Sequence, residues 1–273
     1  MTAILDPLTR QKWDQLIQWM QSYTALGVAL SGVVDSAEVF AAAADAIGVE
    51  HVKAFSIRSP MEPQNELRLA TATANYLGVE QFVMDLNELE DERIRLNPKN
   101  RCYYCKLIRL EKIRERAKEY HIESIVDGSN ADDEHDYRPG RQALKEMQVA
   151  SPLAINGISK QMVRELAKWR GLTVWNKPST PCLASRFPYG VAIDQQRINQ
   201  VACAEAALIN LGFETVRVRY HGETARIEVP QECFNRIFEN REAIMQQIQQ
   251  CGFKTITLDL QGFRSGSLNE GII

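Results

Sequence analysis

Apolar and amphipathic segments alternate over the first two thirds of this sequence. Residues 8–22 place apolar side chains on one helical face, namely Trp13, Leu16, Ile17 and Met20. Short apolar segments then indicate buried strands, at residues 27–30, 51–57, 81–85 and 124–127. Among and after them the sequence predicts helices, at about 36–47, 63–77, 103–119 and 159–170. Strands that alternate with helices predict βαβ units around a parallel sheet, where ligands bind beyond the carboxyl ends of the strands.

The pattern changes after a proline-rich stretch at residues 175–190. This stretch has neither helical nor strand periodicity, and a long loop inside a compact protein is usually functional or disordered. A helix at 194–211, two alternating strands joined by a tight turn, two more helices and a strand at 255–260 follow it. We therefore predict an α/β domain over residues 1–188 and a small α+β domain over residues 189–273.

The composition is ordinary for a globular protein, with 45% hydrophobic and 25% charged residues and a formal net charge of −3. This charge gives no overall attraction to nucleic acid or to an anionic membrane, so neither is expected as a partner. Residues 1–24 are interrupted by polar side chains, and no apolar run is long enough to span a membrane. We therefore predict a cytoplasmic protein with reduced cysteines, whose spacing indicates metal or redox chemistry more than disulfides.

A serine- and glycine-containing segment, residues 31–36 (SGVVDS), joins the first predicted strand to the next helix. Such a turn exposes backbone N–H groups at the positive end of the helix dipole, and these bind anions such as phosphate. The hydroxyls of Ser31 and Ser36 add donors, and Asp35 is suited to cap the helix or to hold a magnesium ion. The spacing alone is equally compatible with a capped strand–helix turn and with a phosphate site.

Three cysteines have a spacing that suits a metal or cluster site. Cys102 and Cys105 lie on one face of a predicted helix, and Cys182 lies in the proline-rich loop. Three thiolates are one short of a Cys₄ zinc site, whereas a 4Fe–4S cluster can keep one iron open for sulfide or substrate. We favour the cluster, with reduced thiols or a zinc site as alternatives. The remaining cysteines are predicted to pack as small apolar side chains; they are Cys203, Cys233 and Cys251.

Residues 31–36 resemble the PP-loop of the ATP pyrophosphatases, which cleave ATP between the α- and β-phosphates and adenylate a substrate oxygen. No Walker-type motif, G-x-x-x-x-G-K-[ST], occurs in the chain. The resemblance departs at Val33, because the PP-loop normally has its second glycine there. A β-branched side chain is disfavoured at positive φ, so either the loop adopts negative φ here with its N–H groups still aimed at phosphate, or ATP binding is impaired. We favour a usable but weakened ATP site that Val33→Gly improves.

Longer motifs narrow the resemblance to the LarE family. Residues 127–140 are similar to that family's D-G-x-N-x-D-D-x-x-D-Y-R-P-G signature, and further matches lie at 175–190, 215–221, 225–228 and 262–266. LarE proteins are ATP-dependent sulfur transferases that adenylate the carboxylates of pyridinium-3,5-biscarboxylic acid mononucleotide. They convert these groups to thiocarboxylates for the nickel-pincer cofactor of lactate racemase. The resemblance implies a PP-loop domain, ATP and Mg²⁺ as cofactors, this substrate, and a homo-oligomer such as a hexamer.

The resemblance also implies a role for individual side chains. Those expected to hold the ATP phosphates and magnesium are Ser31, Gly32, Asp35 and Ser36. Cys182 matches the sulfur-bearing loop cysteine, and Lys106 matches the lysine near the reaction centre. The residues expected to bind the phosphate of the pyridinium nucleotide are Ser185, Arg186, Arg217 and Arg219. The acidic residues expected around the substrate and a bound cation are Glu205 and Glu228.

The three-cysteine pattern resembles the subgroup that binds a 4Fe–4S cluster through Cys102, Cys105 and Cys182 and delivers sulfide from its open iron. Members with only the loop cysteine give up that sulfur and keep dehydroalanine. Two other interpretations are a PP-loop tRNA thiolase, which the negative net charge disfavours, and a binding protein that has lost turnover, which Val33 favours. A solvated strand face is the alternative role for Arg217 and Arg219.

Overall fold

The computed structural model describes residues 5–135, 139–178, 180–264 and 266–269. The motif residues that lie outside these ranges are Asp136, Tyr137, Arg138 and Ser265. The chain forms two compact units. The first comprises the chain up to Ser59, Gln64–Asn87 and Asn100–Thr180, and the second comprises Pro60–Pro63, Glu88–Lys99 and the chain from Pro181 onward. These two units are not the same division as the predicted domains 1–188 and 189–273, whose boundaries stay a prediction.

Helices and strands follow the predicted order closely. In chain order, the helices are α1 (Pro7–Met20), α2 (Val34–Ile47), α3 (Gln64–Leu77), α4 (Glu92–Arg95), α5 (Arg101–Lys118), α6 (Gly140–Glu146), α7 (Pro152–Ile155), α8 (Lys160–Trp169), α9 (Gln195–Asn210), α10 (Phe234–Glu239) and α11 (Arg241–Gln250). The strands are β1 (Leu26–Ala29), β2 (Val52–Arg58), β3 (Gln81–Asp85), β4 (Ile125–Val126), β5 (Arg217–His221), β6 (Thr224–Glu228) and β7 (Thr255–Leu258). None of the helices in these described ranges has the length and apolar composition needed to cross a bilayer.

In the first unit, strands β1 to β4 form one parallel sheet in the order β3-β2-β1-β4. Val28 of β1 pairs with Ala54 of β2 on one side and with Val126 of β4 on the other. The predicted α/β class with a parallel sheet is confirmed. Because neighbouring parallel strands end at the same edge of the sheet, the loops that follow β1 and β4 meet there.

Helix α2 forms the centre of the first unit's core, and its residues from Val34 to Ala44 are all buried. It packs against α1 and α8, and the alanines at 41–44 keep its surface small enough for this close approach. Phe40 of α2 and Leu16 of α1 are fully buried in the same apolar cluster. A helix that is covered on all sides is expected to be apolar on all sides, which makes its acidic residues the exceptions.

Glu38 is such an exception, because its side chain is fully buried in the middle of α2. Among the residues that the structure describes, neither carboxyl oxygen has a hydrogen-bond partner. Burial raises the pKa of Glu38 to about 8, although the nearby Arg170 guanidinium opposes this and Asp45 adds to it. The native protein therefore holds a proton on Glu38 at pH values where the unfolded chain has lost it.

This protonation predicts a pH dependence of stability. An acid with a raised pKa in the folded state contributes stability that is present below its unfolded pKa and is lost as pH rises towards 8. Glu38→Gln removes this loss, so the variant's free energy of unfolding should exceed the wild-type value more at pH 8 than at pH 5, by roughly 1–4 kcal/mol. Urea denaturation at both pH values measures the difference, with the exposed Glu123→Gln as control. An equal effect of Glu38→Gln at the two pH values would contradict the assignment.

The second unit contains a three-stranded sheet in the order β5-β6-β7. Strands β5 and β6 are antiparallel and joined by the short turn after His221, as predicted, whereas β7 lies parallel to β6. An aromatic group packs beside this sheet: the ring of Tyr220 lies 5.0 Å from that of Phe187 and 6.1 Å from that of Phe253. The fully buried Phe187 thereby anchors the end of the proline-rich stretch in the second unit.

The prediction that Cys203 and Cys251 are reduced packing residues is wrong, because the structure joins them in a disulfide. Cys203 is an exposed residue of α9 and Cys251 follows the last residue of α11, with their Cα atoms 5.7 Å apart. The separation of 48 residues carries no periodic signal, and only the pairing of the two helices brings the sulfurs together. Cys233 is a free, partly buried thiol, which agrees with its predicted packing role.

Candidate active site

The loop between β1 and α2 is held by its two serine hydroxyls. The Ser31 N–H donates to Ser36 Oγ at 3.2 Å, and the two hydroxyl oxygens lie 3.1 Å apart. Ser36 Oγ also donates to the Val33 carbonyl at 3.0 Å. No side chain of the N-cap residue covers the first turn of α2, so its N–H groups are left for another acceptor. This is the arrangement of an anion site at a helix N-terminus.

The expected strain at Val33 is absent. Val33 has φ −90° and ψ 158°, an extended conformation that any residue adopts, so the argument for a weakened loop is wrong. The demanding position is Gly32, which has φ +86°. A Cβ atom there would lie 2.0 Å from the Glu66 carbonyl oxygen of α3. The loop therefore needs its first glycine and accommodates a valine in the place of the second.

The loop that follows β4 lies directly against the start of α2. A Cβ atom on Gly128 would lie 2.5 Å from the backbone nitrogen of Ser36. Two residues further on, the Asn130 side-chain amide donates to Asp35 Oδ1 at 2.9 Å. Asp35 therefore does not cap α2 but points towards the β4 loop, where Asn130 fixes one of its oxygens.

Lys160, the first residue of α8, binds the other oxygen of Asp35. Its backbone N–H donates to Asp132 Oδ2 at 2.9 Å, which ties α8 to the loop after β4. Sequence reasoning missed Lys160. One signal was available: a cation in the first turn of a helix opposes the helix dipole, so it indicates a partner or a ligand with negative charge.

Asp127 forms the second carboxylate–ammonium pair of this edge. Its Oδ2 accepts from the ammonium group of Lys106 at 3.1 Å, and its Oδ1 accepts from the Ser151 hydroxyl at 2.7 Å and the Ser129 N–H at 3.1 Å. Burial alone would raise the pKa of Asp127, but Lys106 and these hydrogen bonds hold it below its usual range. Asp127 is therefore a buried, ionised carboxylate that orients Lys106.

In the second unit, two arginines each form a two-pronged pair with a buried carboxylate. Arg186 donates from Nε and Nη2 to the two oxygens of Glu205, both at 2.8 Å. Arg219 of β5 donates from Nε and Nη2 to the two oxygens of Glu228 of β6, at 2.9 and 2.8 Å. The alternative of a solvated strand face is therefore excluded for Arg219, which is 7% exposed.

A cavity of about 370 Å³ opens beside these pairs. Its described lining is rich in basic side chains, namely Lys99, Arg186, Arg219, His221 and Arg226. Near it, burial and the neighbouring Arg186 lower the pKa of Arg217 to about 10, and its guanidinium lies over the ring of Phe263. Burial is the larger cause of this shift, and the repulsion from Arg186 shows that positive charge also lies close to Arg217, which favours an anionic ligand.

None of the three candidate cluster ligands is in a disulfide. Cys102 is exposed and Cys105 is partly buried near the start of α5, and Cys182 is partly buried in the second unit. Within the described residues, no group of three or more His, Cys, Asp or Glu side chains is placed to hold a metal ion.

Comparison with known proteins decides the family. A pyridinium-3,5-bisthiocarboxylic acid mononucleotide synthase from Lactiplantibacillus plantarum is 36% identical over 255 residues, which cover 93% of this chain and 92% of that protein. An uncharacterized protein from Synechocystis is 38% identical over 96% of this chain and 98% of its own length. The sequence model of the asparagine synthase family matches residues 15–98, which contain the β1–α2 loop.

The chain belongs to the LarE family. LarE proteins are ATP-dependent sulfurtransferases with a PP-loop domain, and the chain is an enzyme of this class. This LarE chain brings together, in its first unit, all the residues predicted for the PP-loop, Ser31, Gly32, Asp35 and Ser36. The predicted Lys106 lies in the same unit, together with the unpredicted Lys160 and Asp127. The residues implied for the substrate phosphate and its acidic neighbours lie in the second unit with Cys182.

The two glycine positions of this LarE loop predict opposite effects. Val33→Gly should leave MgATP affinity within about twofold, because there is no strain at this residue to relieve. Gly32→Ala should weaken MgATP binding at least tenfold and cost roughly 1–3 kcal/mol of folding stability, because the new Cβ meets the Glu66 carbonyl at positive φ. Titration calorimetry and thermal melts measure both. A several-fold gain in affinity for Val33→Gly would show that the loop changes backbone conformation when nucleotide binds.

Proposed function

We propose that this enzyme adenylates the carboxylates of pyridinium-3,5-biscarboxylic acid mononucleotide and converts them to thiocarboxylates. The product would serve the nickel-pincer cofactor of lactate racemase. The observation that carries the proposal is the named relative from Lactiplantibacillus plantarum, which covers nearly the whole chain. The formed β1–α2 loop and its uncapped helix support the ATP-dependent half of the reaction.

ATP would bind with its phosphates at the N-terminus of α2, where backbone N–H groups and the hydroxyls of Ser31 and Ser36 converge. A substrate carboxylate oxygen attacks the α-phosphorus, the bond to the β-phosphate breaks, and pyrophosphate leaves with that electron pair. Asp35 fits a magnesium ion, since Mg²⁺ takes one or two carboxylates together with phosphate oxygens and would neutralise their charge. Lys160, which pairs with Asp35 in this structure, is suited to bind phosphate oxygens when ATP binds.

Lys106 would act on the reacting end of the substrate. Its ammonium group is held by Asp127, which is buried, and about a third of the lysine side chain stays exposed. An oriented ammonium group stabilises negative charge on a carboxylate or on the departing AMP without the cost of reorganising solvent. The pair thus supports a positioned cation, as the family resemblance implies for this lysine.

The cavity of the second unit would bind the phosphate of the pyridinium nucleotide. Lys99 and Arg226 line it with cationic side chains, and Ser185 is the next hydroxyl along the loop from Cys182. Arg219 adds positive charge to the lining, although its nitrogens are already engaged by Glu228 and by the Ser185 carbonyl. Burial is the larger cause of the lowered pKa of Arg217, but the contribution of the neighbouring Arg186 supports a site that attracts negative charge. An anion placed there would raise this pKa again, which stabilises the complex.

Cys182 would supply or relay the sulfur. In the sacrificial route its thiolate Sγ attacks the adenylated carbonyl and AMP leaves. A base then removes the Cα proton of Cys182, the Cβ–S bond breaks, the thiocarboxylate leaves with that electron pair, and dehydroalanine remains. In the other route Cys102, Cys105 and Cys182 would hold a 4Fe–4S cluster that supplies sulfide. Cysteines outside any disulfide at all three positions support the second route. Within the described residues, however, no group of three or more His, Cys, Asp or Glu side chains is placed to hold a metal ion.

A homo-oligomer and a cytoplasmic location are further parts of the proposal that rest on the family resemblance. Size-exclusion chromatography with light scattering tests the oligomer directly.

The nucleotide chemistry predicts specific products. With the pyridinium dicarboxylate nucleotide present, ATP should yield AMP and pyrophosphate, and without it neither should form. Asp35→Asn should lower the rate of AMP formation by roughly 10²–10³-fold, because it weakens both magnesium and phosphate positioning. The exposed Asp14→Asn is the control and should behave as wild type. Chromatography of the nucleotides decides: ADP and orthophosphate as primary products would exclude the proposal.

The sulfur route is distinguished by its cysteine variants. If a cluster forms, anaerobically prepared protein should carry roughly four irons per chain, and Cys102→Ser should abolish both iron and repeated turnover. Cys233→Ser, the control, should keep both. If Cys182 is sacrificed instead, mass spectrometry should find the loss of its sulfur after one turnover, with Cys102→Ser fully active.

A further inference from the structure

The segment that carries Cys182 is fastened from inside the protein by one arginine. Arg186 is completely buried, and its Nη1 donates to the carbonyl of Pro181 at 2.9 Å and to that of Cys182 at 3.3 Å. The same nitrogen lies 2.9 Å from the Ser185 hydroxyl. The residue therefore binds the main chain on both sides of the Cys182 Cα atom.

Glu205 fixes this arginine to a regular element. Its two oxygens bind Nε and Nη2 of Arg186, and its Oε1 also accepts from the Val218 N–H at 2.9 Å. Glu205 is a buried residue of α9, and Val218 lies in β5. The carboxylate therefore connects a helix, a strand and, through Arg186, the loop of Cys182.

A second pair fastens the other end of the same turn. Arg219 Nη1 donates to the Ser185 carbonyl at 2.7 Å, and its Nε and Nη2 donate to the carboxylate of Glu228. Within the turn itself, the Ser185 N–H donates to the Cys182 carbonyl at 3.0 Å. Three carbonyls of the five-residue segment 181–185 are thus bound by guanidinium groups that carboxylates keep in place.

Buried ion pairs of this kind contribute little net stability, since the cost of removing both charges from water offsets most of their attraction. What they supply is geometry, because a planar guanidinium bound in a fork has one orientation. In Arg186, Nε, Nη1 and Nη2 are all engaged with protein acceptors, which leaves little capacity for a phosphate. The family resemblance implies a phosphate ligand at this residue, and its observed partners are those of a brace.

We propose that Arg186 and Glu205 are positioning residues that fix the main chain at Cys182 and so direct its thiol. This inference rests on the proposed function, in which Cys182 handles the transferred sulfur. Loss of the brace leaves substrate binding intact and loosens the thiol. A ligand to the substrate phosphate would show the opposite pattern, because its loss weakens binding and leaves the thiol as it was.

Glu205→Gln is the principal test, because it keeps the shape of the side chain and removes the charge that holds Arg186. At saturating pyridinium nucleotide, its rate of thiocarboxylate formation should fall roughly tenfold to a hundredfold, as for an ångström-scale misplacement of a reacting group. The concentration of pyridinium nucleotide that gives half the maximal rate should stay within about threefold of the wild-type value. Alkylation of Cys182 by iodoacetamide, followed by peptide mass spectrometry, should become several-fold faster, since the loop is less ordered.

Arg186→Lys provides the second variant, because lysine keeps the positive charge but cannot span Glu205 and the loop carbonyls together. It should repeat the pattern of Glu205→Gln, whereas Arg236→Gln should change none of the three readouts. Arg236 is a matched control because it is exposed and binds the carbonyls of Leu211 and Gly212 elsewhere in the unit. A tenfold or larger rise in the half-maximal concentration with unchanged alkylation would overturn the proposal. Full activity of Cys182→Ser would instead overturn the proposed role of Cys182 in sulfur transfer. The alkylation rates of Cys182 in Glu205→Gln and Arg186→Lys would still test whether Arg186 and Glu205 fix the main chain there.

Discussion

The close contact of backbone with backbone at the carboxyl edge of the parallel sheet is the constraint on which the first unit depends. Gly128 leaves room for the nitrogen of Ser36, and Gly32 leaves room for the carbonyl of Glu66, so the β1 loop lies between its two neighbours without side chains intervening. Only this spacing lets Asn130 reach Asp35 across the gap. The N-terminus of α2 is then supported from both sides while its N–H groups stay available.

Both units use a buried carboxylate to hold a cation in one orientation. Asp127 holds Lys106, whereas Glu205 and Glu228 hold Arg186 and Arg219. The energetic argument is the same in each case: a buried charge is costly unless it is paired, so the pair forms whenever the chain folds. Cations that are fixed before substrate arrives need no reorganisation during the reaction, which is the form of electrostatic help that enzymes use most.

Hydrophobic periodicity was sufficient for the α/β class, the parallel sheet and the bounds of the long helices to within a few residues. It missed α4, α6 and α7, which span 4 to 7 residues, because such segments are too short to show a period. The PP-loop could be located from its residue types. Its backbone conformation could not, because φ at Val33 depends on how the loop packs against α3 and the loop after β4. Lys160, the two guanidinium–carboxylate pairs and the disulfide join residues far apart in the sequence. They follow from tertiary packing that a single sequence does not display.

The disulfide between Cys203 and Cys251 affects how the cysteines outside it can be studied. Cys203 is exposed and Cys251 is partly buried, so the bridge lies within reach of small reducing agents. A reductant added to protect Cys102, Cys105 and Cys182 is therefore expected also to break the covalent link between the end of α11 and α9, the helix that carries Glu205. Samples handled with and without such agents are two covalent forms of the protein, and each needs its own measured baseline.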